Sequence, residues 1–540
     1  MRSKPWWLGA TFYQIYPRSF LDLSGDGVGD LRGIEARLEY VAGLGVDAIW
    51  ISPFFRSPMA DFGYDIADYR AVDPLFGSLG DFDRVLARAH SLGLKVMIDQ
   101  VLSHSSSEHA WFQESRSSRD NPKADWYVWA DARPDGSPPN NWLSIFGGCA
   151  WQWEPRRGQY YLHNFLVSQP DLNFHNPEVQ QAALDNVRFW LDRGVDGLRL
   201  DAINFCFHDP LLRDNPAKPK EKRVGRGFSP DNPYAFQYHW YNNTRPENLA
   251  FLGRLRALMD EYPDVGALGE ISAEDSLATM AEYTGPGRLH MGYSFELLTD
   301  EGSPAFIRHT VETQEAQMRE GWPCWSLSNH DVVRVVSRWG RGSAHPHLAN
   351  QLQALVCSLR GSACLYQGEE LGLPEADIPY EAIQDPYGRA FWPTFKGRDG
   401  CRTPMPWDEG EHGGFSAATP WLPVPAAHRA LSVARQETDP ASPLNRFRAF
   451  LAWRKRQPAL VAGSIRFIDL PEPLLGFVRE GGGQRMLCVF NLGDGDVAAT
   501  LPGETWQVDA GHGLAGGSLE GGVLRLPGRG VLFAAGRAAA

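Results

Sequence analysis

The run G-V-D-G-L-R-L-D-A-I-N, residues 194–204, decides how the chain is read. Val195, Leu198, Leu200 and Ile203 are material for a buried strand, yet Arg199 and Asp201 stand two apart in the same run and so share one face of it. A buried ion pair is poor evidence of stability, since desolvating both charges costs about as much as their attraction returns. The charges therefore point to another role at the end of a strand. Upstream, residues 177–193 place Val179, Ala183, Val187 and Trp190 on one helical face, and Gly194 supplies a normal stop.

Working outward, β-rich runs alternate with helical patterns over most of the chain, at 11–16, 47–51, 95–100, 197–202, 266–271, 289–295, 324–328 and 363–367. Eight is the number a closed barrel needs, so the expected fold is α/β, a (β/α)8 TIM barrel. Two connections are too long to be simple. Residues 105–173 are rich in Trp, Pro, Gly and Asn, and about 374–425 have similar character. Structureless connections of that length are uncommon in compact domains, which argues for inserted subdomains or functional lids. The expected organisation is a barrel in two parts, 1–104 and 173–461, the second carrying the long insert at about 374–425. A subdomain at 105–172 is inserted after the third strand. From 462 to 540, short alternating strands split by Gly-rich turns such as G-G-G-Q and G-D-G-D predict a C-terminal antiparallel β-sandwich. No internal repeat is evident.

Composition narrows the function classes. The chain has 540 residues, 43% hydrophobic and 12% aromatic, enough for large cores, with a formal net charge of -13. Nucleic-acid binding needs a Lys/Arg-rich face, and the one basic cluster, residues 218–226, reads as a solvated loop; no nucleic-acid partner is expected. Seven cysteines at irregular spacing form no C-x-x-C pair, and buried free thiols in a reducing compartment are expected. The start, M-R-S-K-P-W-W-L-G-A, lacks a secretory pattern and no segment is apolar enough to span a bilayer, which together predict a cytoplasmic protein without a membrane partner. Oligomeric state is not readable.

In a barrel of this kind, polar residues at the carboxyl ends of strands share one mouth. Asp99 and His104 follow the third strand, Arg199 and Asp201 close the fourth, Glu270 closes the fifth, and Asn329, His330 and Asp331 follow the seventh. Three carboxylates beside an arginine and two histidines suit chemistry at a sugar acetal carbon. One carboxylate can attack that carbon, a carboxylic acid can protonate the leaving oxygen, and a third can hold sugar hydroxyls. The bland alternative is packing. His104 and His330 can be satisfied core histidines, Asp99 can stand behind the site, and Trp6, Trp7 and the Trp-rich insert read as core.

This constellation resembles glycoside hydrolase family 13, the α-amylase family. D-Q-V-L-S-H (99–104), G-L-R-L-D-A-I-N (197–204), G-E-I-S (269–272) and S-N-H-D (328–331) are similar to that family's four main motifs, in order, with Q-P-D-L-N-F (169–174) as the fifth. The resemblance implies Asp201 as nucleophile, Glu270 as general acid/base and Asp331 as the third acid. Arg199, on the strand face of Asp201, would hold that carboxylate ionised and oriented. His104 and His330 match donors to the sugar in subsite -1. Asp61 and Tyr64 in D-F-G-Y-D resemble the pair that binds the non-reducing glucose. Arg398, in G-R-D-G-C-R-T-P-M-P-W, resembles the arginine that pairs with such an Asp, with Arg402 the less favoured substitute.

The Q-P-D-L-N form resembles the oligo-1,6-glucosidase and α-glucosidase branch, whose members take short substrates, and a pocket blocked by Asp61 and Arg398 implies exo-action. Ala202, the residue after the nucleophile, resembles α-1,4 enzymes, where Val resembles α-1,6 enzymes; a small residue leaves room beside the +1 sugar. Maltose-like α-glucosides, with possible hydroxyl acceptors, are the expected partners. No cofactor is expected for catalysis. D-L-S-G-D-G-V-G-D (22–30) places oxygens at Asp22, Ser24, Asp26, the Val28 carbonyl and Asp30, as in the first part of an EF-hand loop, but Gly33 stands where the bidentate Glu belongs. The stretch resembles the branch's divalent-ion loop and predicts a structural Ca²⁺ or Mg²⁺. Ser103 stands where many α-amylases have a calcium-binding Asn. The rival readings are a glucosyltransferase or isomerase acting on sucrose, maltose or trehalose, and a non-catalytic transporter-associated protein of the same fold, against which the full set of acids and the lack of an anchor argue.

Overall fold

The computed structural model describes residues 4–223, 231–501 and 506–536. Its centre is a closed barrel of eight strands: β1 (Thr11–Ile15), β2 (Ala48–Ile51), β3 (Lys95–Val101), β4 (Gly197–Asp201), β5 (Gly266–Ile271), β6 (Met291–Ser294), β7 (Trp322–Ser326) and β8 (Ser362–Tyr366). Every neighbouring pair is parallel, and β1 closes the ring by pairing both β2 and β8. All eight expected strands are in it. Only the fifth matches its expected ends; the others differ by one or two residues, the fourth stopping at Asp201 instead of running through residue 202, the sixth spanning Met291–Ser294, and the seventh lying two residues earlier at Trp322–Ser326.

Period-two alternation explains both the barrel and its polar mouth. Val96, Ile98, Leu198, Leu200 and Ala267 point outward into the core shared with the helices. Phe12, Ala48, Trp50, Met97, Leu268, Met291 and Trp322 point inward and fill the barrel. The tryptophans at the start behave as packing residues: a Cβ on Gly197 or Gly266 would meet Trp6 at 3.5 or 3.4 Å. Going up the strands, the inward positions become Gln14, Asp99, Arg199 and Glu270. The register aligns Asp99 with Arg199 and Gly269 with Leu200, bringing three strands' polar ends to one level. The helix before β4 spans Pro177–Asp192; Asn176 caps it by accepting the Glu178 N–H, and Val179, Ala183, Val187 and Trp190 are buried, as its periodicity predicts.

Residues 105–172 carry a three-stranded antiparallel sheet, Trp129–Ala130, Gln159–Leu162 and Trp151–Glu154, around a small core that contains Trp142 and Trp151. The 374–425 stretch has short helices only, among them Pro386–Ala390. Past the barrel, a five-stranded and a three-stranded antiparallel sheet enclose Val478, Leu487, Val489, Leu524 and Leu532. Arg479 of that region is buried and donates to the Ser358 and Leu359 carbonyls, at 2.5 and 2.7 Å, at the end of the barrel helix Leu348–Ser358.

Two expectations need correction. Six of the seven thiols are buried, but Cys149 is exposed. In the basic cluster, Lys218 is half-buried and pairs with Glu274 at 2.8 Å, so it is not simply solvated; residues 224–226 lie outside the described residues. Among the described residues, no helix is long and apolar enough to cross a membrane.

Candidate active site

At the rim, a single buried cation organises three acids. The Arg199 guanidinium donates through Nη1 to Asp99 at 2.9 Å and Asp201 at 2.6 Å, and through Nη2 to Glu270. It lies 4.7 Å from the Trp50 ring centre, which supplies a flat apolar floor. Asp99 is further fixed by the Trp50 indole N–H and the Tyr64 hydroxyl, both at 3.1 Å. Asp201 and Glu270 are almost fully buried and line the pocket, whereas Asp99 stands behind it.

The acids are driven to different protonation states. Burial pushes Glu270 well above the usual carboxylate range; Arg199 opposes this, while Asp201 and Asp331 add to it. A neutral Glu270 can give a proton to a leaving oxygen. Burial also pushes Asp331 up, but the neighbouring His330 and the Arg398 and Arg402 guanidinium charges outweigh it and hold that carboxyl well below the usual range. Asp99 is pushed up to about 7 by burial, against the pull of Arg199.

After Asp201 the chain leaves the strand abruptly. Ala202 has φ 40° and ψ 43°, the left-handed region that side chains avoid, and its N–H donates to the free oxygen of Glu270 at 2.9 Å. The turn thus places one orienting donor between nucleophile and acid.

A second guanidinium closes the far end. Arg398 donates to Asp61 and Asp385, each at 2.8 Å, and to Asp331 at 3.3 Å. Arg402 also belongs here: it reaches Asp331 at 2.8 Å and the His330 carbonyl at 2.6 Å. Burial raises Asp61 to about 6 despite Arg398 and Arg402. The His330 ring is stacked between Tyr16 and Tyr64, with centroids 5.6 and 5.2 Å away. Gln14 donates to its Nδ1 at 2.7 Å, which leaves Nε2 to carry the proton toward Asp331 at 3.2 Å. His104 contacts the Ser103 hydroxyl at 2.9 Å and the Tyr64 carbonyl at 3.0 Å, and Gln169 bridges to Asp61 at 3.1 Å.

Together these side chains surround a pocket of about 130 Å³ that opens to solvent. Asp61, Tyr64, His104, Asp201, Glu270, Asp331 and Arg398 line it; Arg199 and His330 stand directly behind. The rest of its lining is largely apolar, with Ile145, Phe146, Phe165, Phe205, Phe295, Val332 and Tyr387. Sequence reasoning named the acids but not Gln14, Tyr16, Arg402's contact or Asp385. Gln169 and Arg402 sat inside quoted motifs and were within reach; Gln14 was legible as an inward position near the end of β1. Asp385 lies in the long insert and had no signal.

The loop at 22–30 is a separate question. Its donors are all oxygen, which suits a hard cation. As folded, however, they do not fit one. Both Asp22 oxygens are occupied, one by the Ser24 hydroxyl and Gly25 N–H at 2.9 and 2.7 Å, the other by the Gly27 N–H and Ser416 hydroxyl at 2.8 and 2.5 Å. Asp30 accepts from Leu23, Ser24 and Gly33, and Asp26 accepts the N–H of Val28. Among the described residues no three His, Cys, Asp or Glu side chains converge as a metal site.

The catalytic-domain model of the α-amylase family matches residues 14–463. The chain belongs to the α-amylase family. This α-amylase-family chain is 57% identical over 536 residues, 98% of its own length and 97% of the other, to a probable alpha-glucosidase of Rhizobium meliloti (strain 1021). It is 36% identical to an oligo-1,6-glucosidase of Heyndrickxia coagulans, covering 94% of this chain and 96% of that one. Among solved structures, the alpha-glucosyl transfer enzyme XgtA superposes with a TM-score of 0.98 at 69% identity, over 99% of this chain and all of that one (100%). The trehalulose synthase MutB of Pseudomonas mesoacidophila MX-45 superposes with a TM-score of 0.88 at 32% identity, over 99% of this chain and 100% of that one. The chain is therefore an enzyme, a glycoside hydrolase of this family, with a site built for α-glucosides.

Proposed function

We propose that the protein is an exo-acting, retaining α-glucosidase that releases glucose from the non-reducing end of short α-1,4-linked glucosides such as maltose. The observation that carries this reading is the wall where Arg398 joins Asp61 and Asp331 across the pocket lining. Asp201, oriented by Arg199, attacks the anomeric carbon as Glu270 transfers its proton to the glycosidic oxygen. The aglycone leaves as an alcohol and a β-glucosyl ester remains on Asp201. Glu270, now a carboxylate, takes a proton from water, whose oxygen displaces Asp201 and yields α-glucose. Asp331 grips hydroxyls and favours the distorted ring. Ala202 beside the bond supports the α-1,4 preference.

Initial rates and product anomers on maltose, isomaltose, sucrose and trehalose test this, with Asp201→Ala and Glu270→Gln as controls. The reading expects α-glucose first and maltose ahead of isomaltose; β-glucose first would overturn retention, and faster isomaltose cleavage would overturn the linkage preference alone.

A second reading, glucosyl transfer to hydroxyl acceptors, draws support from the 69% identity to an alpha-glucosyl transfer enzyme and from the apolar part of the pocket lining, which disfavours water as a bound acceptor. Transfer products that grow with added alcohol at constant maltose support it; free glucose as the sole product opposes it. At the 22–30 loop, binding of Ca²⁺ or Mg²⁺ stands as a proposal that requires Asp22 to exchange N–H donors for the ion. A fall in Tm with EDTA, restored by excess Ca²⁺ or Mg²⁺, supports it, and an unchanged Tm opposes it. Cytoplasmic residence is likewise proposed, on the free thiols.

A further inference from the structure

Behind the closed end of the pocket sits a carboxylate that cannot touch substrate. Asp385 is fully buried and absent from the pocket lining, and both its oxygens face Arg398. Oδ1 accepts from Nη2 at 2.8 Å, while Oδ2 accepts from Nε at 3.1 Å and from the Arg398 backbone N–H at 2.8 Å. Three carboxylates thus share one guanidinium, but they do so differently. Asp385 grips the Nε/Nη2 edge as a two-point fork, the geometry that fixes the plane of an arginine. Asp61 and Asp331 each take a single bond from what remains.

The backbone is shaped around this grip. Gly397 has φ +82°, and a Cβ there would lie 2.7 Å from Asp385 Oδ2 and 2.6 Å from Gly388 Cα. Glycine at 397 and 388 therefore lets the arginine loop sit against the Pro386–Ala390 helix closely enough for the fork to form. Asp385 is itself anchored, because Asp399 accepts its N–H at 2.9 Å.

We infer that Asp385 is a positioning residue: it aims Arg398 into the pocket, so that the wall closing the non-reducing end is set by a residue of the long insert and not by Asp61 alone. The inference rests on the proposed glucosidase reading of that pocket. Arg398 reaches the end of the sugar remote from the reacting bond, so its misplacement weakens binding more than chemistry.

A structural rival exists, since Asp385 also caps the short helix by accepting the Tyr387 N–H at 3.2 Å. Asn caps as well as Asp does, but it places an NH₂ where the guanidinium needs an acceptor. Asp385→Asn therefore separates the two roles. The expected result is a KM for maltose raised about tenfold or more with kcat changed less than about threefold, with Tm unchanged. Calorimetric titration with D-glucose, expected to show the same loss of affinity, judges Asp385 without turnover; wild-type turnover itself judges the glucosidase reading. In an Arg398→Met background Asp385→Asn should add less than about twofold, because its effect passes through that side chain. Wild-type KM and glucose affinity in Asp385→Asn would overturn the inference, as would an undiminished effect in the Arg398→Met background. Failure of Asp385→Ala alone, with Asp385→Asn normal, would reduce the residue to a cap and overturn it too.

Discussion

The two sides of the pocket are built on opposite principles. On the charged side, Arg199 holds Asp99, Asp201 and Glu270 beside the reacting bond and Arg398 holds Asp61, Asp331 and Asp385 at the far wall, all buried except the half-buried Asp331. On the apolar side, aromatic and aliphatic side chains make contact without directional demand, with Phe146 against Tyr387 and Phe165 against Phe205, centroids 5.4 and 5.3 Å apart, and this wall runs up to the charges, Phe146 lying 5.0 Å from the Arg398 guanidinium. A lattice of paired charges admits one sugar in one pose, because any misfit leaves a buried charge unpaired. An apolar wall accepts many shapes at modest cost. On the proposed glucosidase reading, this contrast implies a donor selected strictly and a leaving group or acceptor selected loosely.

The sharpest break in this contrast is at the nucleophile. Asp201→Ala should lower kcat by at least about 10⁴-fold on every glucoside whatever its aglycone, read as initial rates on a panel of aryl and sugar glucosides. Next comes Glu270→Gln, with a loss of about 10²–10⁴-fold that shrinks for aglycones that leave without a proton. The sign of its pH dependence follows from its raised pKa: Glu270 must be protonated for bond cleavage, so kcat/KM holds below that pKa and falls as pH rises through it. Glu270→Gln should abolish that alkaline limb.

Ala202 joins the two sides, and Ala202→Val should cost about tenfold in kcat/KM on maltose, since a β-branched residue in the left-handed region is strained by about 1–2 kcal/mol. Parallel assays on maltose and isomaltose would show the maltose rate falling more. Smallest is the apolar side: Phe295→Ala should shift the ratio of transfer to hydrolysis by about fivefold or less and leave the rate of glucosyl-enzyme formation from an activated glucoside unchanged. An equal loss in that step would erase the distinction between the two sides.

How much of this was legible in the sequence depended on periodicity and on motif. All eight barrel strands could be read because inward and outward positions alternate along each, and Arg199 with Asp201 marked where the inward set turns polar. The end of β4 was misplaced by one residue because Ala202 looks like strand material; its backbone is left-handed and its N–H is bonded to Glu270, 68 positions away. The 22–30 loop was read as a metal loop from the spacing of its oxygens, and ion binding there stands as a proposal; what spacing could not show is that Asp22 accepts from the Ser416 hydroxyl, 394 residues later. Asp385 could not be found at all, since its meaning is a contact with Arg398 across an insert that has no periodic pattern.

The central claim, that Asp201 carries the glucosyl group, is tested most directly by trapping it. Incubation with a slow-turnover 5-fluoro-α-glucosyl fluoride, followed by peptide mass spectrometry, should place one sugar on the peptide containing Asp201 and none on the Asp201→Ala protein. A label on any other residue, or a chain that turns the reagent over without forming an ester, would contradict the account.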